Sequence, residues 1–204
     1  HRDLHSFPTR RSSDLEIISG SRILALDAAG SNGAAGKRLV AQAAIADEII
    51  VREGDDVVRL SFSDKPVRVE NIGKLPMAWV DPAAADSRTA IASGPEAVRA
   101  FELAVDEWRL LTASALVGLL EATMRIAAEF AVNRYTLGVP IASLQGVSHP
   151  LANIAITVES GRNLARKAAW FLENEPDARA ELASAAYVFM RSEERRVGKE
   201  CRSR

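Results

Sequence analysis

The feature that most constrains the fold is a long apolar run that begins at Gly94. Apolar residues recur there at three- and four-residue spacing, and Leu110–Leu120 (LLTASALVGLL) carries no charge. Gly94-Pro95-Glu96 suits a helix start, because proline tolerates the first helical position and an early acid suits the positive end. The pattern predicts a helix to about Arg134 whose apolar middle must be surrounded by other helices. A membrane span needs about 20 such residues, and Glu121 closes the run too early for one.

Two more helices are predicted after this one, from about Ser143 to Glu173 and from Pro176 through DARAELASAAYVFM. Long helices with short connections pack as an antiparallel bundle. Residues 16 to about 80 instead show short apolar stretches broken by glycine and aspartate, which is typical of strands and tight turns. Asp81–Ser93 is rich in alanine and serine and is predicted to be a linker. The fold class is therefore α+β, with a partial antiparallel β-domain and linker at 16–93 and helices at 94–190.

The two ends differ from the rest of the chain. Residues 1–15 and 191–204 are polar, rich in arginine and without an apolar period. A DNA that encodes residues 191–204 has a reverse complement that encodes residues 2–15 (RDLHSFPTRRSSDL) in a shifted frame. One DNA element in both orientations accounts for both ends, and it resembles a short-read sequencing adapter. The alternative is a basic nucleic-acid-binding tail at each end. We exclude both ends from the fold prediction.

Without the ends, the charge balance is mildly acidic. Residues 16–190 hold 17 basic and 22 acidic side chains, a net charge of -5, which argues against a nucleic-acid binder. The only cysteine, Cys201, lies in the excluded end, so the remainder has neither a thiolate metal site nor a catalytic cysteine. This composition fits a reducing cytoplasm, which is the expected location.

Three motifs have plain structural explanations. GSNGAAGK (Gly30–Lys37) is not a phosphate loop, because Ser31 stands where the first glycine is needed and Arg38 follows the lysine. His149 has no second histidine in residues 16–190, so a multi-histidine metal site is excluded. The polar cluster near the start of the first long helix is predicted by pattern alone to be a solvated face with weak ion pairs. The functional alternative is a polar pocket rim, and the cluster comprises Glu102, Asp106, Glu107 and Arg109.

The connection RYTLGVPIASLQ (Arg134–Gln145) carries more polar chemistry than a helix–helix turn needs. Arg134 at a helix end stabilises the last carbonyl groups, or its planar fork grips a phosphate. Gln145 can donate to and accept from a heterocycle edge or a carbonyl. The spacing alone leaves both interpretations of Arg134 open.

Two stretches of the sequence resemble the acyl-CoA dehydrogenase family. GKRLVAQAAIADEIIV (Gly36–Val51) is similar to the glycine–lysine, valine and Ala-Asp pattern of the family's middle β-domain. Trp108–Ala152 is similar to its C-terminal helical domain. The most specific piece corresponds to the family's Arg-x-x-Phe-Gly motif, an apolar residue and then glutamine, which reads RYTLG and then Gln145 here. The resemblance implies that the helices belong to an incomplete four-helix bundle.

The resemblance also implies a cofactor and a substrate. FAD bound by a neighbouring subunit would meet Arg134 at its pyrophosphate, with Tyr135 and Thr136 beside it and Leu144 and Gln145 lining the same cofactor. Leu137 stands where the family usually has phenylalanine, which removes an aromatic surface on the adenine side. The pantetheine arm of an acyl-CoA would lie near residues 106–109, which are Asp106, Glu107, Trp108 and Arg109. The implied partners are the acyl-CoA, an electron-transfer partner for the reduced flavin and further subunits of a homo- or hetero-oligomer.

The implied reaction is α,β-dehydrogenation of an acyl-CoA thioester, in which a carboxylate takes the α-proton and the flavin accepts the β-hydride. The resemblance implies a glutamate base further along the gene than this chain extends, so no catalytic residue is nominated. Some members place that base on the first long helix, where Trp108 stands here. Glu107 is adjacent but is turned about 100° around the helix. Three alternatives remain: a non-catalytic subunit of a heteromeric dehydrogenase, an acyl-CoA oxidase or related flavoenzyme, and a cofactor-free helical interaction module.

The interpretation of the ends makes a direct prediction. Translated adapter residues contribute nothing to the core, so deletion of residues 1–15 and 191–204 should leave the thermal midpoint unchanged or higher. Differential scanning calorimetry of the full and shortened chains checks this. A clear fall in the midpoint would show that the ends pack against the protein.

Overall fold

The computed structural model describes residues 16–28 and 36–200, with side chains in the second range up to residue 192. These residues confirm the α+β class, with strands first and long helices after them. They form two compact units that divide between Leu103 and Ala104. The first unit holds the strands, and the second holds most of the helical residues.

The described residues of the first unit form six strands, of which four make the main sheet in the order β1-β3-β4-β6. β1 runs parallel to β3, and the remaining neighbours are antiparallel, with a register shift between Val57 and Val58. β2 and β5 form a separate antiparallel pair. The strands are β1 (Leu24–Leu26), β2 (Arg38–Val40), β3 (Glu48–Glu53), β4 (Asp56–Ser61), β5 (Ala78–Val80) and β6 (Ser87–Ser93).

The first unit has a small apolar core supported by buried ion pairs. Alternate residues of β3 and β4 bury Ile49, Val51 and Leu60, and the β2–β5 pair adds Val40 and Val80. This is the period-2 pattern of strands with one covered face.

Two carboxylates are buried at the edge of this core, and each has a cationic partner. Glu48 pairs with Arg22 at 2.5 Å and with Arg59 at 3.4 Å. Asp27 pairs with Arg38 at 2.9 Å. A buried carboxylate without such a partner would be strongly destabilising, so these pairs are part of the packing rather than a separate site.

More than half of the predicted linker, residues 81–93, forms a strand instead. Asp81 begins a short 3-10 helix, Pro82–Ala84, by accepting a hydrogen bond from the backbone N–H of Ala83 at 3.0 Å. The following residues form β6, which pairs with β4 along the edge of the sheet. Every side chain of β6 is exposed. An exposed edge strand needs no apolar alternation, because backbone hydrogen bonds hold it, and the sequence therefore gave no signal for it.

Three long helices follow: α1 (Pro95–Asn133), α2 (Gln145–Asn174) and α3 (Glu181–Glu200). The predicted bounds of α1 and α2 are confirmed to within about two residues. The third helix starts at Glu181, later than predicted. Glu175 lies outside helical geometry (φ -143°, ψ 63°) and ends α2, because a residue before proline avoids the helical region. Turns at residues 176–178 and 180 separate α2 from α3.

The helices share one core in the second unit. Ala113, Val117 and Leu120 of α1 meet Val158 of α2, and Ala186 and Met190 of α3 complete the cluster. Gly161 of α2 marks the tightest approach, since a Cβ built on it would lie 2.1 Å from the sulfur of Met190. Helix α3 continues beyond Met190, but Arg191 and Ser192 are exposed, so the described packing ends at Met190.

Among the described residues, α1 is the one helix long and apolar enough to cross a membrane by length and composition. Its most apolar window has a mean hydropathy of 1.5. The core helix of a bundle passes the same test, so the expectation of no membrane span remains a prediction.

The loop before β6 generates a prediction about pH. Asp86 accepts hydrogen bonds from the backbone N–H and the hydroxyl of Ser63 at 2.6 and 2.8 Å. These bonds, the backbone one first, hold the pKa of Asp86 below its ordinary 3.8. A lowered folded-state pKa adds stability above the unfolded value, and that stability is lost as pH falls through the folded value. Asp86→Asn should therefore flatten the fall in melting temperature below about pH 4.

Asp64→Asn is the matched control, because Asp64 is exposed, directly follows Ser63 in the chain and accepts no hydrogen bond from a described residue. Melting temperatures of the three proteins, measured from about pH 7 down to about pH 3, check the prediction. Parallel curves for Asp86→Asn and the parent chain would show that the Ser63 bonds do not contribute to acid stability.

Candidate functional site

A short hairpin forms most of the connection between α1 and α2. Tyr135–Thr136 (β7) pairs with Val139–Pro140 (β8), with Leu137 and Gly138 at the turn. Both turn residues have positive φ, 50° and 81°, as the tight two-residue hairpin turn requires. Glycine adopts this conformation freely, whereas leucine does so at a cost. The turn returns the chain to its start, where the backbone N–H of Ile141 donates to the carbonyl of Arg134 at 2.8 Å.

Arg134 lies at the end of α1 with an uncommitted side chain. Its backbone N–H donates to Phe130 at 2.9 Å, while its guanidinium is exposed and forms no ion pair with a described residue. Asn133 donates from its side-chain amide to the carbonyl of Glu129 at 2.9 Å. A side chain other than Arg134 therefore satisfies a carbonyl in the last turn of α1, which leaves the five donors of Arg134 available.

The N-terminus of α2 follows within a few residues of the hairpin. Its cap position is Leu144, which has no side-chain oxygen and makes no capping bond. The carbonyl of Leu144 accepts from Val147 and Ser148 at 2.9 Å each. The first turn contains no acidic residue. The positive end of the helix dipole is therefore not offset by a carboxylate, and this end of α2 favours an anion.

The structure brings together the five residues predicted to bind the cofactor. Gln145 is the first residue of α2 and is exposed, as are Tyr135, Thr136 and Leu144. They occupy one surface connection in which the hydrogen bond between Ile141 and Arg134 holds the two ends close. An exposed guanidinium, an uncapped helix N-terminus and a carboxamide can together bind a phosphate and a polar ring edge.

The residues predicted to bind the substrate lie on two sides of α1. Arg109 donates to Asp106 at 2.8 Å and to the hydroxyl of Ser184 on α3 at 3.0 Å. Trp108 packs against Tyr187 of α3 with ring centroids 5.6 Å apart. Glu107 is exposed. Trp108 and Arg109 therefore tether α1 to α3 and Asp106 holds Arg109, whereas Glu107 is the one residue of the four without a described partner.

The acidic cluster predicted near the start of α1 is divided by its contacts. Glu102 pairs with Arg52 at 2.9 Å, in the first unit, whereas Asp106 pairs with Arg109 in the second. The exposed pair is worth little on its own. The three acids therefore do not converge on one point, and a single carboxylate site there is not supported.

Sequence reasoning missed a groove between α1 and α2. Its volume is about 360 Å³, and Glu121 and Arg162 pair across it at 2.7 Å. Its walls include four small residues, Ser114 and Gly118 on α1 and Ala165 and Ala169 on α2. The four-residue spacing of small residues was the available signal. No group of three His, Cys, Asp or Glu side chains that could hold a metal ion is found in the part of the chain described.

A family model for the acyl-CoA dehydrogenase C-terminal domain matches residues 98–201. The chain therefore belongs to the acyl-CoA dehydrogenase family. The mitochondrial short-chain specific acyl-CoA dehydrogenase of Rattus norvegicus is 33% identical over 81 residues, which are 40% of this chain and 20% of the relative. The porcine enzyme (Sus scrofa) is 37% identical over 71 residues, 35% of this chain and 17% of the relative. The matches thus span about a fifth of these relatives.

Solved structures share the fold. Butyryl-CoA dehydrogenase from Megasphaera elsdenii superposes with a TM-score of 0.70 at 18% identity, covering 92% of this chain and 58% of that one. The ChsE4-ChsE5 complex from Mycobacterium tuberculosis gives a TM-score of 0.63 at 22% identity, covering 88% and 54%. These matches extend over both units, so the strand-rich unit shares the fold as well.

The tether formed by Arg109 makes a prediction about stability. Arg109→Met keeps most of the apolar stem but removes the bonds to Asp106 and Ser184, leaving a mostly covered carboxylate without its cation. The free energy of unfolding should fall by about 1–2 kcal/mol. Glu107→Gln is the matched control and should change it by less than about 0.5 kcal/mol. Urea unfolding of both variants measures the effect, and equal stabilities would show that the tether contributes nothing.

Proposed function

We propose that this chain is part of an FAD-dependent acyl-CoA dehydrogenase, an oxidoreductase of fatty acid or lipid metabolism that introduces an α,β double bond into an acyl-CoA thioester. The observation that carries the proposal is the exposed guanidinium of Arg134, which forms no ion pair with a described residue, in the same connection as an α2 N-terminus that lacks a side-chain cap. Membership of the acyl-CoA dehydrogenase family supports it. The chain spans only part of the relatives' length, so their activity is proposed for it rather than shown.

The residues of the connection fit the polar part of FAD. The planar fork of Arg134 matches two phosphate oxygens at once, and the N-terminus of α2 adds the favourable end of a helix dipole. Tyr135 and Thr136 supply hydroxyl groups beside it. Gln145, with Leu144, offers a donor and an acceptor to the same cofactor. These groups would hold the FAD of a neighbouring subunit, so the proposal includes a homo- or hetero-oligomer.

The acyl-CoA is the proposed substrate, with residues 106–109 beside its pantetheine arm. When bound, the flavin supplies the redox chemistry by accepting the β-hydride. The chain's own residues bind and orient: Arg109 fixes α1 against α3, and the exposed Glu107 lies on the accessible side. The base remains unassigned, because Trp108 stands at the helix position that carries a glutamate in some members. An electron-transfer partner would reoxidise the flavin, and the proposed location is the cytoplasm.

A second candidate is a non-catalytic subunit of a heteromeric acyl-CoA dehydrogenase. The specific observation in its favour is the Trp108–Tyr187 contact at 5.6 Å, which fills one possible base position with an indole. The family match makes a cofactor-free helical module the less favoured alternative. The two subunit types differ in turnover but share the FAD contacts, so FAD binding is the first property to test.

The proposal predicts how substitutions of Arg134 change FAD affinity. Arg134→Ala removes a charge-assisted contact, which typically costs about 2–5 kcal/mol at an interface. The dissociation constant for FAD should therefore rise roughly 30-fold or more. Arg134→Lys should recover only part of the loss, because an ammonium does not reproduce the fork. Gln145→Ala should cost about 1 kcal/mol, the value of a neutral hydrogen bond. Equilibrium dialysis with FAD measures each value.

Arg125→Ala is the matched control. Arg125 is an exposed arginine of α1, and its ion pair with Glu121 is long, at 3.3 Å. The substitution removes the same charge from the chain but should leave FAD affinity unchanged, and circular dichroism should report equal helix content in all variants. If Arg134→Ala binds FAD as tightly as the parent chain, the phosphate-binding role of Arg134 is wrong.

A further inference from the structure

The groove between α1 and α2 has the size of a small-molecule site. Its volume is about 360 Å³, at the lower end of the range of about 300–1,000 Å³ that such sites occupy. Val117 and Gly118 of α1 and Ala165 and Ala169 of α2 give it a narrow apolar wall. Gly118 leaves open space there, because a Cβ built on it would meet nothing within 4 Å. We call this cavity the α1–α2 groove.

One end of the α1–α2 groove is closed by an ion-pair network that neutralises itself. Glu121 accepts from Arg162 at 2.7 Å and from Arg125 at 3.3 Å. Arg162 also pairs with Glu159 on its own helix. Two cations and two carboxylates cancel in this network, so this end of the groove requires no charged ligand.

Arg166 adds a further cation to the groove wall. It lies one turn after Arg162 on α2, it is exposed, and it forms no ion pair with a described residue. Ser114 lies on the facing wall, and its hydroxyl donates to the carbonyl of Leu110 at 2.9 Å, so its hydrogen is already used. Among the described residues, the groove therefore combines an apolar wall with one guanidinium that is available to a ligand.

These features favour a slender amphiphile with one negative charge. A guanidinium binds a carboxylate through two parallel hydrogen bonds, and one available cation matches a head group that carries one charge. The small wall residues leave space for an alkyl chain. A protein partner is matched less well, since a stable interface takes about 800 Å² from each side. A helix would also bury more apolar surface on another side of α1, where Leu119, Ile126 and Phe130 are exposed.

We propose that the α1–α2 groove binds an alkyl carboxylate, such as a free fatty acid, with its carboxylate on Arg166 and its chain along Gly118 and Ala169. The site is separate from the connection at Arg134 and from residues 106–109, so the inference goes beyond the proposed function and does not depend on it. A ligand in the groove touches both helices, and its binding therefore stabilises the folded chain by mass action.

Isothermal titration calorimetry with decanoate, kept below its critical micelle concentration, tests the head-group contact. Arg166→Ala should weaken decanoate binding about 10-fold or more, because it removes a charge-assisted pair. Arg166→Lys should recover only part of the loss. Decanol, which has no charge, should bind the parent chain about as weakly as decanoate binds Arg166→Ala. Lys167→Ala is the matched control and should leave the affinity unchanged, because Lys167 is the next residue, is exposed and does not line the groove.

Gly118→Leu tests the contact with the alkyl chain. Leucine occupies the groove without a clash at its Cβ, and it favours a helix more than glycine does. The variant should therefore lose decanoate binding while its melting temperature stays equal to that of the parent chain or rises. This combination separates a filled groove from a damaged fold. Decanoate should raise the melting temperature of the parent chain and leave that of Gly118→Leu unchanged.

Three results would overturn the inference. The first is that the parent chain binds no decanoate below the critical micelle concentration, or that Arg166→Ala and Gly118→Leu bind it as tightly as the parent chain does. The second is tighter binding of decyl phosphate than of decanoate, which would replace the carboxylate by a phosphate head. The third is a changed oligomeric state of Gly118→Leu in size-exclusion chromatography with unchanged decanoate affinity, which would assign the groove to a protein helix. FAD binding by the parent chain tests the proposed function separately.

Discussion

The hydrogen bond from Ile141 to the carbonyl of Arg134 is the interaction on which the candidate site depends. It closes the hairpin directly after the end of α1 and returns the chain to that end before α2 begins at Gln145. The turn that makes it possible places Leu137 at φ 50°, which costs a leucine about 1 kcal/mol or more. The strained Leu137 lies in a connection that adds little to the core. The local strain therefore supports the view that the connection is shaped for binding rather than for stability.

The charges near this connection also support the view that it is shaped for binding. Elsewhere in the described residues most buried or half-buried cations meet a carboxylate: Arg38 with Asp27, Arg22 with Glu48, Arg162 with Glu121. Arg134 does not, and the adjoining first turn of α2 carries no acid. If the connection only had to end a helix, a local side chain could satisfy the free backbone carbonyls, as Asn133 does in the last turn of α1. The connection therefore presents an exposed arginine and a helix N-terminus without an acid in its first turn, which is the charge pattern that our proposal of a bound phosphate requires.

Sequence alone predicted the elements that have strong local signals. The start of α1 followed from Gly94-Pro95-Glu96, since a proline and an acid in the first turn act within a few residues; the structure adds a positive φ at Gly94. The connection at Arg134–Gln145 was predicted from sequence because glycine and proline mark turns, but its hairpin was not predicted. Strand β6 was missed because its side chains are all exposed and its pairing with β4 is a tertiary fact. The Arg109–Ser184 bond joins residues 75 positions apart, and no local pattern encodes such a contact.

The apolar surface of α1 is the remaining physical constraint. Its middle turns are apolar on nearly every side, yet α2 and α3 cover only the side that carries Ala113, Val117 and Leu120. Among the described residues nothing covers the opposite side, where Leu111, Leu119, Ile126 and Phe130 are exposed. A patch of this length rarely stays in contact with water and typically marks an interface. In a family whose solved member from Megasphaera elsdenii is longer than this chain, which covers 58% of it, we expect further helices or subunits to cover that side. The same surface explains why α1 resembles a membrane helix by composition, because a helix packed on every side and a helix in lipid both avoid charges.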